Sequence, residues 1–140
     1  MDIGLIGFAA ALGFAAIGSA LGSGTAGMTA VGAWKKCFAQ NKPAPFMLIA
    51  FVGAPLTQTI YGFILMNTIN ASSASPVAKM AAGVFGGIAM GFSAWFQGKA
   101  GASASDALAE TGKGFGNYIM VVGLIETVAL FVMVFLMGAL

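Results

Sequence analysis

Gly116-Asn117-Tyr118-Ile119-Met120-Val121-Val122-Gly123-Leu124-Ile125-Glu126-Thr127-Val128-Ala129-Leu130-Phe131-Val132-Met133-Val134-Phe135-Leu136 is an apolar run with one carboxylate near its middle. About 20 such residues suffice to cross a bilayer. An acid at the centre of a span costs ~2.5–3.5 kcal/mol on insertion scales, so a charge kept there marks a functional site. Glu126 is therefore the residue around which the rest of the chain is read.

Three further apolar segments accompany it, roughly Ile3–Trp34, Pro45–Ile69 and Pro76–Thr111, with the fourth running from about Phe115 to the C-terminus. The fold class is an all-α membrane protein of four transmembrane helices. Pro45 suits a first helical turn, and Ser75-Pro76 reads as an N-cap followed by proline at the first helical position. Gly112 is the expected stop of the third helix. The first and third helices are longer than a span requires, so they tilt or protrude.

Composition agrees with this reading. The chain is 59% hydrophobic and 7% charged, against about 25% charged in a globular average, and its mean hydropathy is +0.96. At 140 residues it fits one domain. The pI of 8.9 comes from six lysines, with no arginine or histidine, and points to no nucleic-acid partner. Cys37 is alone, which excludes an internal disulfide and a cysteine-based metal site. Asp2 stands where a signal peptide would be positive, so none is expected. Lys35, Lys36 and Lys42 fill the first connection, and Lys99 and Lys113 lie towards the second, against only Lys79 opposite. The positive-inside rule makes these connections cytoplasmic and both termini external; Asp106 and Glu110 count little in it.

The chain is also a duplication. Ser19-Ala20-Leu21-Gly22-Ser23-Gly24-Thr25-Ala26-Gly27 aligns without a gap to Ser93-Ala94-Trp95-Phe96-Gln97-Gly98-Lys99-Ala100-Gly101. Leu56-Thr57-Gln58-Thr59 then falls beside Leu124-Ile125-Glu126-Thr127, and Phe63 beside Phe131. Residues 1–70 and 71–140 are thus two parallel hairpins of one integral membrane domain, each a glycine-rich helix followed by a bulkier one. In this register Gln58 holds the place of Glu126.

Glycines at 18, 22, 24, 27 and 32, and again at 83, 86, 87 and 91, give small-xxx-small spacings that let helix backbones approach closely. Gly22-Ser23-Gly24-Thr25-Ala26-Gly27 matches a dinucleotide fingerprint, but it lies within an apolar helix with no acid about 20 residues on, so that reading is rejected. The sequon Asn70-Ala71-Ser72 is incidental outside a eukaryotic secretory compartment.

The polar residues at mid-depth carry the chemistry: Pro55, Thr57, Gln58 and Tyr61 in the second helix, Gln97 in the third and Glu126 in the fourth. Pro55 lacks an N–H, which loosens its turn and leaves a carbonyl, Phe51 or Ala54, available. A hydroxyl, two amide oxygens, a freed carbonyl and a carboxylate form an all-oxygen set of the kind hard cations prefer. The competing reading is an interhelical hydrogen-bond network, which leaves the unpaired acid unexplained. Lys99 either snorkels towards the interface or pairs with Glu126, and its two-residue offset from Gln97, about 200°, favours different faces.

At these residues the sequence resembles the K subunit (proteolipid, or c-type subunit) of bacterial V-type ATPases, the sodium-pumping kind most of all. Pro55-Leu56-Thr57-Gln58-Thr59-Ile60-Tyr61 looks like that family's Pro-x-Thr-Gln-x-x-Tyr motif, joined by Phe96-Gln97-Gly98-Lys99 and Ile125-Glu126-Thr127. The resemblance implies Na⁺ held by the Thr57 hydroxyl, Gln58, Gln97, Glu126 and the Ala54 carbonyl, with Tyr61 bonding Glu126 to lock the site. The family usually has a bulkier residue at 54, but a backbone oxygen is the ligand there. The resemblance further implies a rotor ring of identical subunits in a bacterial inner membrane, helices 1 and 3 inside, in contact with lipid, central-stalk subunits and a stator subunit with an essential arginine. ATP chemistry would belong to other subunits, so the chain is not an enzyme on its own. The alternatives are a proton-carrying ring of the same architecture, a small four-helix drug exporter, whose acid usually sits in the first helix, and a purely structural proteolipid.

Overall fold

The computed structural model describes residues 2–140. They form α1 (Gly4–Ala39), α2 (Leu48–Gly53), a 3₁₀ turn (Ala54–Leu56), α3 (Thr57–Ala71), α4 (Pro76–Thr111) and α5 (Phe115–Ala139). Because α2, the 3₁₀ turn and α3 are continuous, there are four helices long and apolar enough to cross a membrane, and among the described residues there is no strand. The 36 residues of α1 and of α4 make each ~54 Å long at 1.5 Å per residue, well beyond a ~30 Å hydrocarbon core.

Several ends fall where local chemistry puts them. Ser75 caps α4 by accepting from Ala78 N–H at 3.3 Å, Pro76 follows at the first position, and Gly112 ends the helix with φ 66°, a left-handed conformation that costs glycine little. Two expected boundaries shift. The first helix continues through Lys35 and Lys36 to Ala39 instead of stopping near Trp34, because alanine, lysine and cysteine carry the helix on until Asn41 turns with φ 53°. Pro45 lies ahead of the second helix, which begins at Leu48; the Pro45 carbonyl accepts from Trp34 Nε1 at 2.7 Å, pinning the connection to α1.

Glycine seats α1 against α4. A Cβ on Gly18 would fall on the backbone of Gly91, and one on Gly98 on the backbone of Gly22. Helices touching backbone to backbone gain van der Waals contact that no larger residue would permit. The bulkier α3 and α5 lie on one side of this pair. Two apolar clusters fill the space between, one around Ala11, Leu65, Ile69 and Met90, the other around Leu48, Phe51, Leu108 and Val122. Between them lies a polar layer in which Gln58, Ser93 and Gln97 are buried.

Candidate ion-binding site

The polar layer begins with a backbone irregularity. Pro55 cannot donate, and the chain there tightens to 3₁₀ between α2 and α3. The Ala54 carbonyl receives Thr57 N–H in that tightened turn and also the Thr57 hydroxyl at 2.9 Å. Thr57 Oγ1 lies 3.2 Å from Gln58 Oε1. Since both are oxygens and one hydroxyl proton serves two acceptors, this corner is rich in lone pairs.

From there a hydrogen-bonded chain crosses three helices. Gln58 Nε2 donates to Gln97 Oε1 at 2.8 Å and more weakly to Ser93 Oγ at 3.3 Å. Gln97 Nε2 donates to Glu126 Oε2 at 3.1 Å and to the Val122 carbonyl at 3.0 Å. The Tyr61 hydroxyl donates to the other carboxylate oxygen, Oε1, at 2.5 Å. One neutral donor thus meets each oxygen of Glu126. Among the described residues the single ion pair is Lys36 with Glu110 at 2.6 Å, at the exposed ends of α1 and α4, so Glu126 has no cationic side chain beside it.

All six residues singled out from sequence, Ala54, Thr57, Gln58, Tyr61, Gln97 and Glu126, therefore converge in one layer. Of the two carbonyls named as candidates near Pro55, that of Ala54 adjoins the polar set, where it accepts from the Thr57 N–H and hydroxyl. Lys99 does not join it: its ammonium lies 4.3 Å from the Trp95 ring centroid and 5.1 Å from that of Phe96. The duplicated positions have diverged in environment as well as charge, since Gln58 is wholly buried whereas Glu126 is half-buried between exposed Leu124 and Val128. Ser93 is a further participant, with no role evident from its residue type alone. It donates to the Ile125 carbonyl at 2.9 Å and so tethers α4 to the turn carrying Glu126. Its position one turn before Gln97 was the available signal.

No cluster of three histidine, cysteine or acidic residues occurs among the described residues. Glu126 is the single carboxylate of the layer: its oxygens meet Gln97 Nε2 and the Tyr61 hydroxyl, while the amide oxygens of Gln97 and Gln58, the Thr57 hydroxyl and the Ala54 carbonyl lie further along the same chain of contacts. Tyr61 and Glu126 are each partly exposed, on α3 and α5 respectively.

Residues 80–137 match the family model that describes the C subunit of ATP synthase, a stretch that contains Gln97 and Glu126. The chain is 34% identical over 132 residues to the A-type ATP synthase subunit K of Methanocaldococcus jannaschii, an alignment covering 92% of this chain and 57% of that protein. The chain thus spans little more than half the length of that relative.

Proposed function

We propose, from the premise that this chain belongs to the family of the ATP synthase C subunit, that it is the ion-carrying member of a membrane rotor ring and that Glu126 carries Na⁺. The observation that supports this reading best is the chain of contacts from Thr57 through Gln58 and Gln97 to Glu126 and Tyr61. A proton carrier needs a carboxyl and one partner; here four further oxygens lie within one layer.

Loading reorients groups already in place. The Thr57 hydroxyl turns its lone pairs inward, the Gln58 and Gln97 amides present their oxygens, and the Ala54 carbonyl completes the set with the Glu126 carboxylate. Such all-oxygen coordination suits a hard cation. Tyr61 keeps its bond to Oε1 and holds the carboxylate in the ligating rotamer. The loaded site carries no net charge, which lowers the cost of facing lipid. The empty carboxylate does need a cation, and with no arginine in this chain that cation comes from outside, as the arginine of a stator subunit. Identical copies then form the ring, α1 and α4 inside and α3 and α5 outside, turned by central-stalk subunits. The lysine-rich connections face the cytoplasm of a bacterial cell, and ATP is handled elsewhere in the assembly.

Carbodiimide labelling of the purified oligomer tests the cargo. The reagent attacks a protonated carboxyl, so at fixed pH added Na⁺ slows labelling of Glu126. Labelling that Na⁺ leaves unchanged refutes the sodium reading in favour of a proton-carrying ring.

A further inference from the structure

Ser93 of α4 bonds to both α3 and α5, and it is only 6% exposed. Its hydroxyl has one proton to give and lone pairs to offer. The Ile125 carbonyl, 2.9 Å away, can only accept, so it takes the proton. What the hydroxyl turns towards Gln58 is therefore a lone pair, and Gln58 meets it with Nε2 at 3.3 Å. An amide with its nitrogen on that side has its oxygen on the other. Gln58 Oε1 accordingly lies 3.2 Å from Thr57 Oγ1, in the corner that also holds the Ala54 carbonyl. The duplication supplies an internal comparison, since Ser19 aligns with Ser93. Ser19 is buried as well, yet its hydroxyl has no hydrogen-bond partner among the described residues. Burial of a serine at this register does not by itself produce such bonds; those of Ser93 belong to the half that carries Glu126.

We infer that Ser93 is a positioning residue of the ion site, one that never touches the cargo but fixes the Gln58 amide with its oxygen towards it. The inference rests on the sodium reading above. Its weight falls on the loaded state. In the empty site Gln58 Nε2 has two acceptors, Gln97 Oε1 at 2.8 Å and Ser93 Oγ at 3.3 Å. When cargo binds, Gln97 Oε1 turns its lone pairs to the cation, and Ser93 is the acceptor that remains. Gln58 is wholly buried, so solvent does not replace a lost partner, and a buried donor without one is costly. Because the Ile125 carbonyl keeps the Ser93 proton in both states, the hydroxyl cannot reverse and admit the Gln58 oxygen instead.

Carbodiimide labelling of Glu126 in the purified oligomer, titrated with Na⁺ at fixed pH, tests this role. Ser93→Ala should raise the Na⁺ concentration that halves labelling about tenfold, the effect of one buried donor left without an acceptor. Labelling without Na⁺ should keep its rate, because Gln97 still holds Gln58 there. Ser93→Thr, which retains the hydroxyl, should restore the midpoint, and Ser19→Ala should leave it in place. Ser93→Cys, whose sulfur accepts weakly, should shift it in the same direction as alanine and serves if the alanine variant does not assemble. In a Gln58→Ala background there is no amide to orient, so Ser93→Ala should add no further shift. The inference is overturned by a midpoint that Ser93→Ala leaves unmoved, by an equal shift in Ser19→Ala, or by a shift of the same size once Gln58 is already gone, which would make Ser93 only a brace between α4 and α5. An unmodified protein that Na⁺ fails to protect overturns the sodium reading and this inference with it, whereas protection that is present and insensitive to Ser93→Ala overturns this inference alone.

Discussion

Replacing Gln97 by alanine isolates the polar layer. The side chain accepts from Gln58 at 2.8 Å and donates to Val122 at 3.0 Å and Glu126 at 3.1 Å. Without it, the buried Gln58 Nε2 keeps only its 3.3 Å contact to Ser93, and Glu126 keeps only Tyr61. A hydrogen bond to a charged group contributes ~1.5–3 kcal/mol, and a buried polar group left without a partner costs ~1–3 kcal/mol. Both losses fall on the ion-free chain too, so affinity for the cargo changes only by the difference between states. When the site is empty, Tyr61 still holds the carboxylate. When it is loaded, one oxygen of the set facing a full positive charge is gone, and the apolar surroundings offer no substitute. The differential is about one charge-assisted interaction, ~1.4–2.8 kcal/mol, which weakens Na⁺ binding ~10–100-fold. The assay is the Na⁺ concentration that halves carbodiimide labelling of Glu126 at fixed pH, in oligomers whose assembly is first verified. A midpoint unmoved by Gln97→Ala would refute the assignment of this amide to the cargo.

Three other substitutions bear on the same structure. Glu126→Gln keeps the shape of the side chain, as Gln58 does in the first hairpin, so the oligomer should assemble but neither label nor support ATP-driven transport; full transport would make the chain purely structural. Tyr61→Phe removes the 2.5 Å bond to Glu126 and should speed ²²Na⁺ release about tenfold, one charged hydrogen bond at the low end of its range; an unchanged release rate removes Tyr61 from the site. Gly18→Ala puts a methyl on the Gly91 backbone, whereas Gly24 has open space around it; overpacking costs ~1–3 kcal/mol, so only Gly18→Ala should lower the thermal stability of the purified protein in detergent.

Particular residues show how far the sequence was legible. Ser75-Pro76 and Gly112 mark the ends of α4 because capping is local chemistry, written within four residues. The extension of α1 past Trp34 was hidden because lysines on a protruding helix resemble lysines in a loop. Glu126 and Gln97 were visible through the cost of polar groups at mid-depth. Ser93 was not, since a serine in a membrane helix can bond its own backbone, as Thr68 does to the Ile64 carbonyl. Only the approach of α5 shows that Ser93 reaches the Ile125 carbonyl instead. The direction of Lys99 depended on rotation of α4 about its axis, which the glycine contacts with α1 fix and spacing alone leaves free.

Those glycine contacts have a mechanical consequence. Where Gly18 meets Gly91 and Gly22 meets Gly98, no side-chain rotamers lie between the two backbones to absorb a displacement. The α1–α4 pair is therefore a stiff spine. The outer flank differs, because the Pro55 turn lacks a backbone donor and α5 is joined to its neighbours by side chains and shows most of its surface outward. A displacement of one helix against another would meet most resistance along the α1–α4 seam and least at α5, whose contacts run through side chains.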